Sequence, residues 1–438
     1  MQAAAIAAVF DHLYDPKLGI VSAVGEIGRE PGAPDYVHVA ARTCNPAALG
    51  GFRGPFTVGS AAPVRDAAYA GAIRAAVARY AAALYERGGL PLSTFAAASF
   101  PCIEPRAFAL FSDGQYRRPG FPYVPFANDT PVRWASAVDL ATGATVHVPA
   151  SLVWQPFVHL RSGGDLPVAP PSEAGLACAA SVAAASLAGL YEVVARDAAA
   201  LFWHAMTPPP QLRLDTLPPS LRALVSRFES AGDRVTLLEV TTNSRIPSVV
   251  AVLASDRPDA PAFVFATAAS LDAAEAVAEA LAGLAENRRL ARLAQRSLPP
   301  PSPVNDWEDV VDAADHLAFA ASRENVERLA FILTSDDRRH LAERDSASTG
   351  SLAGDLDAAI GRVTLSGGRV LVANLTSADL AALGLAVCRV VVTGYQPLNA
   401  GHALRPLGGD RLYEVPQKLG YRGIARGSAC NPAPHPFR

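Results

Sequence analysis

The chain has 438 residues, half of them hydrophobic and 18% charged, with a formal net charge of −3. That is a globular composition with core enough for two or three domains or one large two-lobed unit, and its charge balance argues against a general nucleic-acid or acidic-membrane surface. Lys17 and Lys418 are the only lysines, so no Gly-x-x-x-x-Gly-Lys phosphate loop exists. The five cysteines (Cys44, Cys102, Cys178, Cys388, Cys430) form no Cys-x-x-Cys pair. They read as reduced, inert thiols and not as a disulfide framework or zinc site. The start "MQAAAIAAVFDHLYD" lacks the basic region of a signal peptide, and no apolar run reaches the roughly 18 residues of a membrane span. A cytoplasmic protein with no membrane and no nucleic-acid partner is expected.

In chain order, an N-terminal helix precedes two strand-like runs, "LGIVSAV" and "YVHVAART". "PVRDAAYAGAIRAAVARYAAALYERGG" predicts a helix opened by Pro63 and stopped by Gly88-Gly89. "VRWASAVDLATGATVHVPA" reads as a hairpin around Ala-Thr-Gly. A second long helix is predicted from Ser181 to Met206, ended by Pro208-Pro209-Pro210. "RVTLLEV", "PSVVAVLA" and "AFVFATA" are strand candidates, followed by a third alanine-rich helix, "LDAAEAVAEALAGLAENRRLARLAQR". "LPPPSPV" reads as a linker. Beyond it, "GRVLVANLT" and "LAVCRVVVTG" carry buried-strand patterns, and no short-period repeat is present.

These elements predict a mixed α/β, or α+β, fold with three long helices facing a central cleft between sheets. Residues 1–165 form an N-terminal lobe in this reading and 166–298 a central lobe. Residues 299–304 are a linker, and 305–438 a C-terminal lobe ending in a proline-rich tail.

At "SEAGLACAASVAAASLAGLYEVVARDAAALFW" the sequence resembles the central motif of the YcaO family, a Gly-Leu-Ala segment leading into a helix with Glu, then Glu-Arg-Asp-Ala. "DPKLGIVSAV", "IPSVVAVL", "LDAAEAVAEALAGLAEN", "RVVVTGYQPLNAGHALRPLGGDRL" and the closing "NPAPHPF" fit further family segments in order, so the resemblance covers nearly the whole chain. Azoline-forming members use ATP and magnesium to cyclise Cys, Ser or Thr onto the preceding peptide carbonyl. The resemblance implies a nucleotide and metals held between three helices by Glu-x-x-Glu-Arg, Glu-x-x-Glu-Arg and Glu-x-x-Gln. Residues three apart share a helix face, and magnesium takes hard oxygen ligands.

At the matching positions this chain has lost most of those groups. The first helix carries Ala75 and Ala78 with Arg79 retained; the second keeps Glu192 and Arg196-Asp197 but has Ala195. The third has Gly283 and Glu286, with Glu279 where an arginine is expected, and "GSAA" at Gly59 to Ala62 replaces a Gly-Lys-Gly. Alanine keeps the helices while deleting their ligands. The expectation is a degenerate ATP site with Glu192, Glu286, Arg79 and Arg196 as its remnants, no metal ligand set, and no cofactor. Whether the chain is an enzyme is left open.

Ordinary helix chemistry competes with this reading. Glu192 and Arg196 form a favourable i,i+4 pair with or without a ligand. Glu286, beside Asn287 and Arg288, reads as part of a solvated face, and His316 as a packing residue. The tail residues Pro432, Pro434, Pro436 and Arg438 match a family tail that reaches back to the catalytic site; a frayed terminus is the other reading. The function expected is that of a scaffold or peptide-binding component in ribosomal-peptide thiazole/oxazole modification. The alternative is an active cyclodehydratase using ATP and Mg through divergent ligands. Expected partners are a precursor peptide and, as the chain has no room for a fused leader-binding domain, a separate E1-like leader-binding protein. An active YcaO subunit and a homo- or heterodimer stay open.

Overall fold

The computed structural model describes residues 2–49, 51, 54–160, 162–343 and 346–438. After α1 (Gln2–Leu13), strands β1 (Val21–Ile27), β2 (Val37–Thr43) and β3 (Thr57–Ala62) form an antiparallel meander in that order. Helix α2 (Arg65–Ala82) packs on it. The helix stops short of the predicted Gly88-Gly89, because the Ala82 carbonyl accepts instead from the Gln155 N–H at 2.9 Å. Arg87–Gly89 is a separate 3-10 turn.

The predicted hairpin is β4 (Val132–Asp139) with β5 (Thr145–Pro149). It joins a mixed-order sheet through β10 (Val370–Asn374), next to β11 (Ala386–Val392) and then β6 (Leu176–Ala179). Helix α3 (Val182–His204) begins where the Ser181 hydroxyl accepts from the Ala184 N–H at 3.2 Å and caps the first turn. After α4 (Pro219–Glu229), strands β7 (Arg234–Glu239), β8 (Ser248–Ala254) and β9 (Phe263–Ala269) make the antiparallel part of another sheet, with β8 between the other two and β9 at its edge. Helix α5 (Ala273–Ser297) is capped by Asp272, whose carboxylate accepts from the Ala274 and Glu275 N–H groups. Strand β8 is buried almost end to end, with α5 covering one face of its sheet and α3 the other. Helices α6 (Ala313–Ala321), α7 (Leu352–Leu365) and α8 (Arg411–Lys418) complete the frame.

The three longest of these helices, α2, α3 and α5, span 18, 23 and 25 residues. They converge on one place: α2 from the meander, α3 between the sheets, and α5 from the central sheet. Among the described residues no helix is long and apolar enough to cross a membrane.

Candidate functional site

A cavity of about 310 Å³ lies where α2, α3 and α5 meet β3 and β9. Its wall includes Ala75, Ala78, Ala195 and Gly283, the four positions where the sequence replaces an expected ligand with a small residue. Arg79, Glu192, Arg196 and Arg438 line the same space, so the structure brings four of the predicted site residues together.

Each carboxylate in the cavity already has a cation. Glu192 Oε1 accepts from Arg196 Nε at 3.0 Å, the i,i+4 pair read from the sequence, and Oε2 accepts from the Gly175 N–H at 3.2 Å. Gly175 holds φ +76°, and a Cβ there would run into the Val390 carbonyl, so the family-like Gly-Leu-Ala segment needs its glycine at this point. Glu173, which the sequence reading passed over, pairs with Arg79. Burial pushes the Glu173 carboxyl up, but the Arg79 guanidinium, with Arg196 and Arg438 beyond it, holds it below the usual carboxylate range. Arg438 keeps contact with solvent, yet the protein packed around it lowers its pKa. Glu286 and Glu173 oppose that shift, and Arg79 and Arg196 add to it.

Glu286 does not join the cavity wall, and the solvated-face reading of Glu286, Asn287 and Arg288 is overturned: all three are buried. Glu286 accepts from Arg289 Nη2 at 2.5 Å and meets His38 Nδ1 of β2 at 3.1 Å, tight against Gly59 of β3. Burial raises its carboxyl, and the His38 and Arg289 contacts outweigh that, holding it low. It therefore pins α5 to the meander. Asn287 takes the cavity-facing place and donates to the Phe265 carbonyl at 2.8 Å, while Arg288 donates to Asp233 at 2.8 Å. Polar residues here face in because strands distant in sequence supply their partners.

The tail is docked, not frayed. Asn431 N–H donates to the His204 carbonyl at 2.9 Å, and Trp203 Nε1 donates to the Ala433 carbonyl at 3.3 Å. His316 Nδ1 donates to the His435 carbonyl at 2.6 Å, and the two imidazoles stack at 3.8 Å. His435 Nε2 donates to the Asn399 carbonyl at 2.8 Å. Pro434 and Pro436 are buried, Pro432 is exposed, and the stiff backbone delivers Phe437 against Phe265 and Arg438 to the cavity. The prolines act as a strut; the group that reaches the cavity is Arg438. His316 is a packing residue as expected, but within a buried histidine group.

Two further residues frame the site. Asp197 accepts from Arg411 Nε at 2.7 Å and Nη2 at 2.8 Å and from the Gln396 N–H at 2.8 Å, with no exposed surface. Buried Arg389 of β11 donates to the carbonyls of Val153 at 3.1 Å and Ala174 at 2.7 Å, fixing the segment that carries Glu173. Burial lowers its pKa to about 10. Cys178 and Cys388 match the inert reading: both are buried, which pushes Cys178 up to about 12 and Cys388 to about 11. Among the described residues, no group of three or more His, Cys, Asp or Glu side chains is placed to hold a metal ion.

The family model for YcaO cyclodehydratase, ATP- and Mg2+-binding, matches residues 62–396. The chain belongs to the YcaO family. A solved heterocyclase in complex with substrate and cofactor superimposes with a TM-score of 0.80 at 20% identity, covering 100% of this YcaO chain and 57% of its own. YcaO from Methanopyrus kandleri, bound with AMPPCP and Mg2+, gives 0.67 at 21% identity, covering 92% and 94%. An uncharacterized protein in the tfuA 3′ region of Rhizobium leguminosarum bv. trifolii is 33% identical over 141 residues, 30% of this chain and 32% of its own length. The YcaO chain thus spans about a third of that curated relative and little more than half of the heterocyclase. The mixed α/β fold expected from the sequence is that of the solved family members.

Proposed function

We propose that this chain is a non-catalytic YcaO component of a ribosomal-peptide modification system, holding a peptide or an active partner in place of doing ATP chemistry. The observation that carries this is the cavity between α2, α3 and α5. Ala75, Ala78, Ala195 and Gly283 present no ligand, and Glu173 and Glu192 are each already paired with an arginine. Magnesium takes several hard oxygens, usually one or two carboxylates together with phosphates and water. To ligate it, either carboxylate must give up its arginine, and the arginine is then left beside a dication. The residues present do not fit a magnesium–triphosphate unit. They do preserve a shaped, solvent-connected cleft with the tail strapped into it, which is what a holding role needs. The partners that suit this role are a precursor peptide, a separate leader-binding protein and a catalytically complete YcaO subunit.

A second reading, ATP-dependent azoline formation through divergent ligands, is favoured by one feature: the guanidinium groups of Arg79, Arg196 and Arg438 meet in one cavity. Arginine is well suited to phosphate oxygens. Calorimetric titration of the purified chain with Mg-ATP, alone and with precursor peptide and leader-binding protein, separates the two. The holding role predicts no saturable heat until an active YcaO subunit is added. Saturable Mg-ATP binding by this chain alone overturns it.

A further inference from the structure

The charged cavity is not spent once its two carboxylates are paired. Among the side chains of its lining, three guanidiniums (Arg79, Arg196, Arg438) face two carboxylates (Glu173, Glu192), which leaves one positive charge. Arg79 pairs with Glu173 and Arg196 with Glu192. Arg438 is the remainder. It is exposed, joins no described group by a hydrogen bond or ion pair, and is repelled by Arg79 and Arg196.

A second group in the same wall is unanswered. Asn287 is 9% exposed and donates its Nδ2 to the Phe265 carbonyl, which settles that Oδ1 is the other end of the amide. That oxygen accepts from no described group and, unlike the sealed acceptors of the core, keeps contact with water. An acceptor so nearly buried is rarely left without a donor.

The charged cavity shares a wall with a smaller, mostly apolar one of about 110 Å³. Ser172 and Ala174 face the apolar cavity and Glu173 the charged one, while Arg196 belongs to both. The apolar side offers an anion no cation except Arg196, so the unmet charge lies wholly on the other side of that wall.

We propose that the charged cavity binds a peptide by a carboxylate, held on the Arg438 guanidinium without a metal ion, while Asn287 Oδ1 accepts from an N–H of the same peptide. A carboxylate carries the single negative charge that the lining lacks, and a guanidinium meets it with two parallel N–H donors. A phosphate group carries about −1.5 to −2 at neutral pH. It would set a negative excess beside Glu173 and Glu192, and its oxygens would meet Asn287 Oδ1 as acceptor against acceptor. Chloride or a bare carboxylate leaves Asn287 unanswered. The cavity of about 310 Å³ is roughly twice an apolar void of about 150 Å³ that takes up a benzene ring, so it has room for a residue and its adjoining amide. The proposal rests on the holding role above and names the part of the peptide that is held. Its test uses neither nucleotide nor precursor: Mg-ATP binding by the chain would overturn the holding role with every result below unchanged.

The full chain, in EDTA, is titrated by NMR with N-acetylglycine, whose N–H adjoins a terminal carboxylate, and with the N-methylamide of N-acetylaspartate, which offers a side-chain carboxylate. Saturable binding of either supports the proposal, and the tighter of the two identifies the source. Replacing the carboxylate of that ligand by its amide should weaken binding about tenfold or more, and N-methylating its amide nitrogens about threefold. Arg438→Gln should weaken it about tenfold without moving the thermal unfolding midpoint, and Arg438→Lys should restore part of the loss. No saturable binding of either carboxylate, equal binding of the amide, undiminished binding by Arg438→Gln, tighter binding of inorganic phosphate, or binding seen only when Mg2+ replaces EDTA would each overturn the proposal.

Discussion

On α3, Arg196 and Asp197 are neighbours in sequence and opposites in environment. Arg196, with Glu192 and Ala195, looks into an open charged cavity; Asp197 is sealed behind the helix with Arg411, the Gln396 backbone and, through Arg411, Thr242 and the Tyr395 ring. The open face carries Ala195 where the family resemblance implies a carboxylate, and the helix runs through it unbroken. The sealed face could not lose one so cheaply, since removing one partner strands a buried charge. Ligand-facing positions are thus free to change in a way that fold-holding positions a residue away are not.

The sealed region should be the acid-labile part. His204 and His316 are buried with their pKa values lowered to about 3 and about 4, burial being the main cause. His402 falls to about 3 through burial and then Arg405, and His435 is held well below the ordinary value, again first by burial. Each binds its proton more readily in the unfolded chain. Stability is therefore full above the unfolded pKa of about 6.5 and falls as the pH drops from there toward about 4, by up to about 1.4 kcal/mol per pH unit per histidine. Urea unfolding at several pH values measures the slope. His316→Phe should reduce it, and a slope of zero across that window would contradict the buried cluster.

Next in size is the ion pair itself. Asp197→Ala should cost about 3–5 kcal/mol, because Arg411 stays buried without its partner. A denaturation midpoint close to wild type would mean that the two faces of α3 are not so unlike. The smallest effect belongs to the open face. Ala78→Glu with Ala195→Glu places two carboxylates at the cavity wall; both alanines are buried, but the cavity beside them should hold the cost to about 1–3 kcal/mol. The same double variant should gain Mg2+-dependent nucleotide binding by calorimetry. Strong destabilisation would show those alanines to be core residues first.

How far the sequence carried depends on the range of the interaction. The Ala-Thr-Gly hairpin and the Glu192–Arg196 pair are local, and each was legible from spacing. The convergence of Arg79, Arg196 and Arg438 was legible only through the family resemblance. Glu173 was missed because it lies in an irregular segment and its partner, Arg79, sits on a helix far back in the chain. Glu286 was misread because three polar residues in a row look solvated, and nothing nearby announces His38 or Asp233. Strand β3 went unseen since "TVGSAA" has little of the β-branched character that marks a strand. The strand order of the sheets is non-local throughout and left no trace in any single segment.

The partition of Ser172, Glu173 and Ala174, pinned from behind by Arg389, gives the two cavities a thermodynamic relation. An occupant that shifts this segment on one side alters the free energy of whatever sits on the other. Such linkage is reciprocal: if filling the apolar cavity strengthens the grip on an anion by some factor, the anion must strengthen the grip on the apolar group by the same factor. Two cavities separated by one segment of backbone can in this way be coupled without sharing a ligand.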